Sequence, residues 1–343
     1  MQPVCFLHIG THKTGTTSLQ TLLTSNEQCL ERNGIYIPKS GRPWPAGGHH
    51  NLAWELNRDQ RFNPSHGSFR DVVDEIRSRN PPVVCISSED FEYLYRVPES
   101  LSWIKSEMRS IGYQVRIVIY LRSQAEYVES LYAELVKHGL HLGFREFLGQ
   151  IVRYGVFVFR DFWTFAFDYQ QLLDAFAKVF GNGSMIVRPY SANRPSNYLL
   201  DDLVSIISSE PKTLGLEFIA KRQHPSLSFV QVAELLLANR LNSEGNFEPE
   251  ALSMPAGRFL AGPFDPLDLR DLMRIRRRFR ETNKLLLEKY QVKVSAVSWR
   301  RLLRELKCTL RLDQDSARRK DLLLRIARDR VVAPASGRIS VSG

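Results

Sequence analysis

The sequence has no apolar run approaching the roughly 20 residues that a membrane-spanning helix needs. Its opening residues, MQPVCFLHIGTHK, show no basic stretch leading into a long apolar one and a small-residue cleavage site. A soluble, cytoplasmic chain is expected. Cysteine is scarce: the four in 343 residues, Cys5, Cys29, Cys85 and Cys308, stand singly, with no Cys-x-x-Cys or Cys/His ligand spacing. That scatter argues against both a disulfide framework and a zinc site, so free thiols and no metal are expected. Low-complexity and collagen-like tracts are missing too; 43% apolar and 24% charged residues describe a globular chain.

Acidic charge is short in one region. The chain carries 47 Lys+Arg against 37 Asp+Glu, net +10, and residues 271–330 alone carry 19 against 8, net +11. Such a segment can hold nucleic acid, an anionic surface or a nucleotide, or be a solvated helical face. No nucleic-acid-binding motif accompanies it, so no specific nucleic-acid partner is expected.

The pattern that is present alternates short apolar strands with amphipathic helices. Strands are expected at Val4–Ile9, Gly34–Pro38, Val83–Ser87, Val115–Leu121 and Met185–Pro189. Helical spacing runs through Leu19 to Leu30, Phe69–Arg79, Glu99–Ile111, Ser123–Lys137 and Tyr169–Phe180. This order predicts an α/β fold, a parallel β-sheet flanked by helices, with ligands beyond the carboxyl ends of its strands. From about Asn197 the pattern is largely helical, to near Arg330, and residues 331–343 read as a frayed tail. With no repeat or long linker, residues 1–330 are expected to be a single domain.

The junction of the first strand and helix reads His8-Ile-Gly-Thr-His-Lys-Thr-Gly-Thr-Thr-Ser-Leu19. Backbone N–H groups around Gly15, Thr16 and Thr17 would open a helix N-terminus, where free donors and the macrodipole favour an anion. Lys13 adds a cation, and Thr14, Thr16, Thr17 and Ser18 add hydroxyls. An ordinary capped helix is the plainer alternative, but this combination favours phosphate or sulfate. It is not a Walker A loop, because Lys13 precedes the second glycine, and no strand ends in an evident magnesium-binding Asp. A second anion site is expected at Tyr120-Leu-Arg122, where a planar guanidinium leaves a strand end, with Ser130 eight residues on.

Lys13-Thr-Gly-Thr-Thr-Ser-Leu19 resembles the 5′-phosphosulfate loop of sulfotransferases that use 3′-phosphoadenosine 5′-phosphosulfate (PAPS). Arg122 and Ser130 are similar to that family's 3′-phosphate pair. Asp168-Tyr-Gln-Gln-Leu-Leu173, Phe180-Gly181, Val187-Arg-Pro-Tyr190, Gln223-His-Pro-Ser-Leu-Ser228 and Arg278-Phe-Arg-Glu-Thr-Asn283 resemble its bacterial branch. The resemblance implies a P-loop-NTPase-like sulfotransferase fold and in-line sulfuryl transfer from PAPS without metal. It also implies nucleotide contacts from Arg222, Gln223 and Ser226, although Gln223-His224 stands where the family has Asn.

Transfer to a hydroxyl, or less readily an amine, needs a base for the acceptor proton. His50 and His49, between the Pro/Gly-rich loop 38–48 and the helical Asn51-Leu-Ala-Trp-Glu-Leu56, are candidates, because imidazole titrates near neutrality. His50 better matches the place where related glycan sulfotransferases carry a histidine. Glu89, just past the third strand, is the competitor, unless Ser88-Glu-Asp90 is simply a helix cap. His8 reads as a buried strand histidine, and His12 as a further cation or donor at the loop. Trp44, Trp54, Tyr93 and Tyr95 are candidates for stacking on a sugar acceptor, and Arg42 and Lys39 for meeting an acidic one. The runner-up readings are a P-loop small-molecule kinase and an anion- or nucleic-acid-binding protein using the basic segment.

Overall fold

A computed structural model describes residues 2–44, 47–191, 198–208, 216, 227–243, 266–298 and 301–303. Five short strands form its main sheet: β1 Val4–His8, β2 Ile35–Tyr36, β3 Val83–Ser87, β4 Gln114–Leu121 and, after an intervening hairpin, β7 Met185–Pro189. The order across the sheet is β2-β3-β1-β4-β7, with every pair parallel. Register places His8 beside Ser87 on one side and Val118 on the other, so the ends of β1, β3 and β4 open onto the same edge.

Continuous apolar runs such as Val-Cys-Phe-Leu suit strands buried on both faces. Alternate residues feed two cores. Phe6, Cys85, Val118 and Tyr120 meet helices α1 (Thr16–Ser25), α2 (Glu27–Arg32) and, later in the chain, α9 (Tyr198–Ile207) through Leu19, Leu22, Leu23, Leu30 and Leu203. Cys5, Leu7, Ile86 and Ile119 meet the larger layer. That layer contains α3 (His50–Leu56), α4 (Phe69–Arg79), α5 (Pro98–Ser110), α6 (Gln124–Lys137), α7 (Phe144–Tyr154) and α8 (Tyr169–Phe180).

Only the β1-to-β2 connection runs toward the β2 edge; the later crossovers run the other way. Right-handed crossovers therefore put α1 and α5 on opposite faces, which opens a crevice where β1 and β3 end side by side.

The sheet and most helices lie where the residue patterns place them, and α4, α8 and β7 share the expected bounds. The helix expected through Leu30 breaks at Asn26, whose side chain bonds back to the Leu22 carbonyl and ends α1. An antiparallel hairpin, β5 (Val156–Phe159) with β6 (Trp163–Ala166), follows α7. Beyond β7 and α9, helices α10 (Phe229–Ser243) and α11 (Leu269–Tyr290) confirm the helical character of the described later part. Basic α11 buries Leu272, Ile275, Phe279 and Leu286 in the larger core and turns Arg276, Arg277 and Arg280 to solvent. The tail 331–343, the rest of the basic segment beyond Leu303, and Cys308 lie outside the described residues.

Candidate functional site

The loop from Ile9 to Gly15 is held by the neighbouring strand. Thr11 donates its backbone N–H to the Tyr120 carbonyl at 3.2 Å, and Thr14 donates its hydroxyl to the Thr11 carbonyl at 2.6 Å. The Thr14 hydroxyl is therefore spent on shaping the loop. Gly15 is the N-cap of α1 with φ +77°, where a Cβ would sit 2.8 Å from Leu199 and any side chain would be strained. No side chain caps this helix and its first turn holds no acid. The N–H groups that open a helix have no intrahelical acceptor, so the start of α1, with exposed Thr17 and half-buried Ser18, suits an anion.

Lys13, at φ +63°, directs its ammonium to Glu134 on α6, 3.0 Å away. Arg122, at the end of β4, reaches the same loop: its Nη1 donates to the Lys13 carbonyl at 2.8 Å. Its guanidinium also lies 5.5 Å from the Tyr190 ring centre and 3.3 Å from Glu126. Ser130 is half-buried on α6. Arg222 and Ser226, with Gln223 and His224, lie outside the described residues.

On the other side of the crevice stands a short 3-10 helix, Glu89–Arg96, capped by the Ser88 hydroxyl, which accepts the Asp90 N–H at 3.1 Å. The two adjacent histidines part here. His49 is buried, accepts the Ser87 N–H at Nδ1 (3.1 Å) and donates from Nε2 to the Pro38 carbonyl at 2.9 Å. Burial, with the nearby Arg42 charge, lowers its pKa to about 4. With both nitrogens committed to backbone, His49 ties the loop to the sheet edge. His50 instead places Nδ1 2.9 Å from the Ser88 hydroxyl and 3.6 Å from Asp90, and among the described residues nothing bonds its Nε2. Burial pushes its pKa down, but the Glu89 charge and the nearby Asp90 carboxylate outweigh this and raise it above the ordinary value. Glu89 accepts from Gln20 of α1 at 2.8 Å; burial pushes its pKa up, and the charges of His50 and His12 more than offset that.

Of the aromatic candidates, Trp54 and Tyr93 are core residues, whereas Trp44 is 57% exposed and meets the His50 ring edge-on at 5.8 Å. Arg42 is buried against Glu27, and Lys39 is exposed with its backbone N–H on Glu75. Arg278 turns away from the crevice to Asp168 and the Val152 carbonyl.

His8 is fully buried, as expected. Its Nδ1 lies 2.8 Å from the Ser87 hydroxyl, and burial lowers its pKa to about 4. His12 turns back from the loop to lie between Asp90 (3.0 Å) and Glu92 (2.9 Å), and the Tyr93 hydroxyl oxygen lies 2.9 Å from the same Nε2 that meets Asp90. Sequence reasoning missed these two acids. The available signal was Glu92 inside Phe91-Glu-Tyr-Leu94, an acid on an otherwise buried run.

Among the described residues, no group of three or more His, Cys, Asp or Glu side chains is arranged to hold a metal, and no helix is long and apolar enough to cross a membrane. No protein-family model matches the chain, and no curated protein matches it in sequence. Among solved structures it is similar to a sulfotransferase from Alicyclobacillus acidocaldarius, at 16% identity and TM-score 0.37 over 73% of this chain and 98% of that one. It is also similar to a chain of the PezAT chromosomal toxin-antitoxin system of Streptococcus pneumoniae, at 14% identity and TM-score 0.29 over 71% and 87%. Likenesses at this level say nothing about activity.

Proposed function

We propose that the protein is a sulfotransferase that moves the sulfuryl group of PAPS to a hydroxyl, or less readily an amine, of an acceptor, with a carbohydrate or glycoconjugate favoured. The observation that carries this reading is the bond from Arg122 to the Lys13 carbonyl, which joins two anion-binding elements 109 residues apart at one sheet edge. The α1 N-terminus, uncapped and free of acids, fits a 5′-phosphosulfate, with Lys13, Gly15, Thr16, Thr17 and Ser18 around it. Arg122 and Ser130 would hold the 3′-phosphate, with Arg222 and Ser226 as further contacts that the resemblance implies.

The donor supplies an already activated sulfuryl group. The protein's part is alignment, charge stabilisation and removal of one proton. Lys13 and the first N–H groups of α1 offset negative charge on the departing phosphate. His50 accepts the acceptor's proton at Nε2, the nitrogen that no described group occupies, and Glu89 raises its proton affinity. Exposed Trp44, beside His50, offers a face on which a sugar ring can stack.

Thermal denaturation with 3′-phosphoadenosine 5′-phosphate (PAP), in parallel with ATP and magnesium, tests the reading. Stabilisation by PAP that is lost in Lys13→Ala is expected; stabilisation by ATP with magnesium alone would overturn it in favour of a kinase.

A further inference from the structure

The polar cluster beneath His50 contains a connection that the transfer reaction does not require. Asp90, buried at the start of the 3-10 helix, turns one carboxylate oxygen toward each of two imidazoles, bonding one and facing the other. Its Oδ1 lies 3.0 Å from His12 Nε2 and its Oδ2 lies 3.6 Å from His50 Nδ1. Oδ2 also accepts the Trp54 indole N–H at 2.5 Å and faces Arg61 Nη1 at 3.7 Å. On its other nitrogen, His12 meets Glu92, which is fully buried and accepts the Ala166 N–H at 2.7 Å.

Two carboxylates on one ring make His12 a standing cation. Burial pushes its pKa down, yet the bonds to Asp90 and Glu92 raise it to about 10. That cation in turn keeps buried Asp90 ionised: burial raises the carboxyl's pKa, but the bond to His12 and the nearby His50 imidazole hold it well below the usual range. The Ser88 hydroxyl, which already accepts the Asp90 N–H, sits on the same nitrogen of His50. The Asp90 carboxylate facing Nδ1 favours the proton there, the Ser88 hydroxyl can then accept it, and the lone pair is left on Nε2.

We infer that Asp90 is a positioning residue that fixes His50 in the Nδ1–H form, and that His12 of the phosphate loop, bound to the same carboxylate, moderates its grip, so that a His–Asp–His relay joins donor loop to base. The functional meaning rests on His50 being the base; the relay itself does not. The other charged or titratable groups facing the pair are Glu89, neutral His49, Arg61 and Tyr93. The two ends of the relay act on His50 with opposite sign. Asp90→Asn removes the anion and lowers the proton affinity of His50, whereas His12→Gln removes a cation and raises it.

The test uses the full chain with 15N-labelled histidine, His50 being assigned by the signal that disappears in His50→Gln. Wild-type His50 is expected in the Nδ1–H form. Asp90→Asn should lower its titration midpoint by about one pH unit, tenfold in proton affinity, and mix the tautomers, while His12→Gln should raise the midpoint. In steady-state assays Asp90→Asn should lower kcat about 10- to 100-fold, with donor KM unchanged and the acid limb displaced to lower pH. An unchanged tautomer and midpoint in Asp90→Asn, or shifts of the same sign in both variants, would overturn the relay. Should Asp90→Asn fail to fold, His12→Gln decides alone by the direction of its shift. Wild-type protein that shows the tautomer but ignores PAP would sink the transfer reading and leave the relay standing.

Discussion

The ammonium of Lys13 should be harder for an anion to recruit than a bare lysine, because Glu134 already holds it. The two meet at 3.0 Å with both side chains 30% exposed, and Glu134 is also shared by Lys137 at 3.0 Å and His138 at 3.5 Å. The His138 bond and the Lys13 charge hold the Glu134 carboxyl well below its ordinary pKa, so it is ionised at any working pH. Glu134→Gln keeps the shape and removes the charge. A part-exposed pair of this kind is worth about 0.2–1 kcal/mol. Deleting a negative charge about 6 Å from the incoming anion adds about 0.7 kcal/mol at water-like screening. Together these come to about 0.9–1.7 kcal/mol, or a Kd for PAP tighter by about 4- to 17-fold. Calorimetric titration at low and at near-molar salt checks this, with the gain expected to shrink as salt screens both terms. Unchanged or weaker binding by Glu134→Gln would refute the reasoning and mean that Glu134 presents Lys13 to the ligand instead of competing for it.

Transfer by wild-type protein should rise as pH climbs through the raised His50 pKa, above 6.5, and His50→Gln should lose that limb with little change in melting temperature; an intact limb would exclude His50 as the base. His49→Phe should instead cost about 2–4 kcal/mol in denaturant unfolding, since it strands the buried Ser87 N–H and the Pro38 carbonyl; a cost under about 0.5 kcal/mol would contradict the structural role. Gly10→Ala, at φ +89° with its new Cβ 2.9 Å from Glu89 Cα and Cβ, should lose about 2 kcal/mol or more, with near-wild-type stability as the contrary result. His8 and His49, with folded pKa values near 4 against 6.5 unfolded, contribute stability that is present above pH 6.5 and lost as pH falls toward 4, about 3 kcal/mol each. His12, raised to about 10, contributes stability that is present below pH 6.5 and lost as pH rises through 10, so a stability profile flat from pH 4 to 10 would refute both assignments.

Local patterning made the scaffold legible. Short β-branched apolar runs with no internal polar residue, such as Val83–Ile86, suit strands covered on both faces, and Phe69–Arg79 carries its own capping box from Ser68 and Asp71. The strand-to-helix loop proposed to hold an anion stood out for the same reason, because its glycines, lysine and hydroxyls are consecutive. The parts that pair across long sequence separations were not. Local patterning does not tell His49 from His50, and the preference for His50 rests on the family resemblance alone; one is bound by Ser87 and Pro38 and the other has no described partner on Nε2, a difference that depends on β3 passing beneath the loop. Likewise the Lys13–Glu134 pair and the seat of His12 on Asp90 and Glu92 depend on tertiary placement of α6 and the 3-10 helix. The β5–β6 hairpin hides behind aromatic residues that serve strand or core equally well.

If Lys13 with the start of α1 holds one phosphate and Arg122 the other, the protein must distinguish PAP from adenosine 5′-phosphate, which lacks the 3′-phosphate, and must do so through Arg122. Titration of wild type and Arg122→Ala with both nucleotides measures this. The expected result is PAP bound more tightly by at least about tenfold in wild type, with the preference abolished in Arg122→Ala because a charge-assisted contact worth about 1.5–3 kcal/mol is gone. Equal binding of the two nucleotides by wild type, or a preference that survives in Arg122→Ala, would contradict the two-site donor cradle.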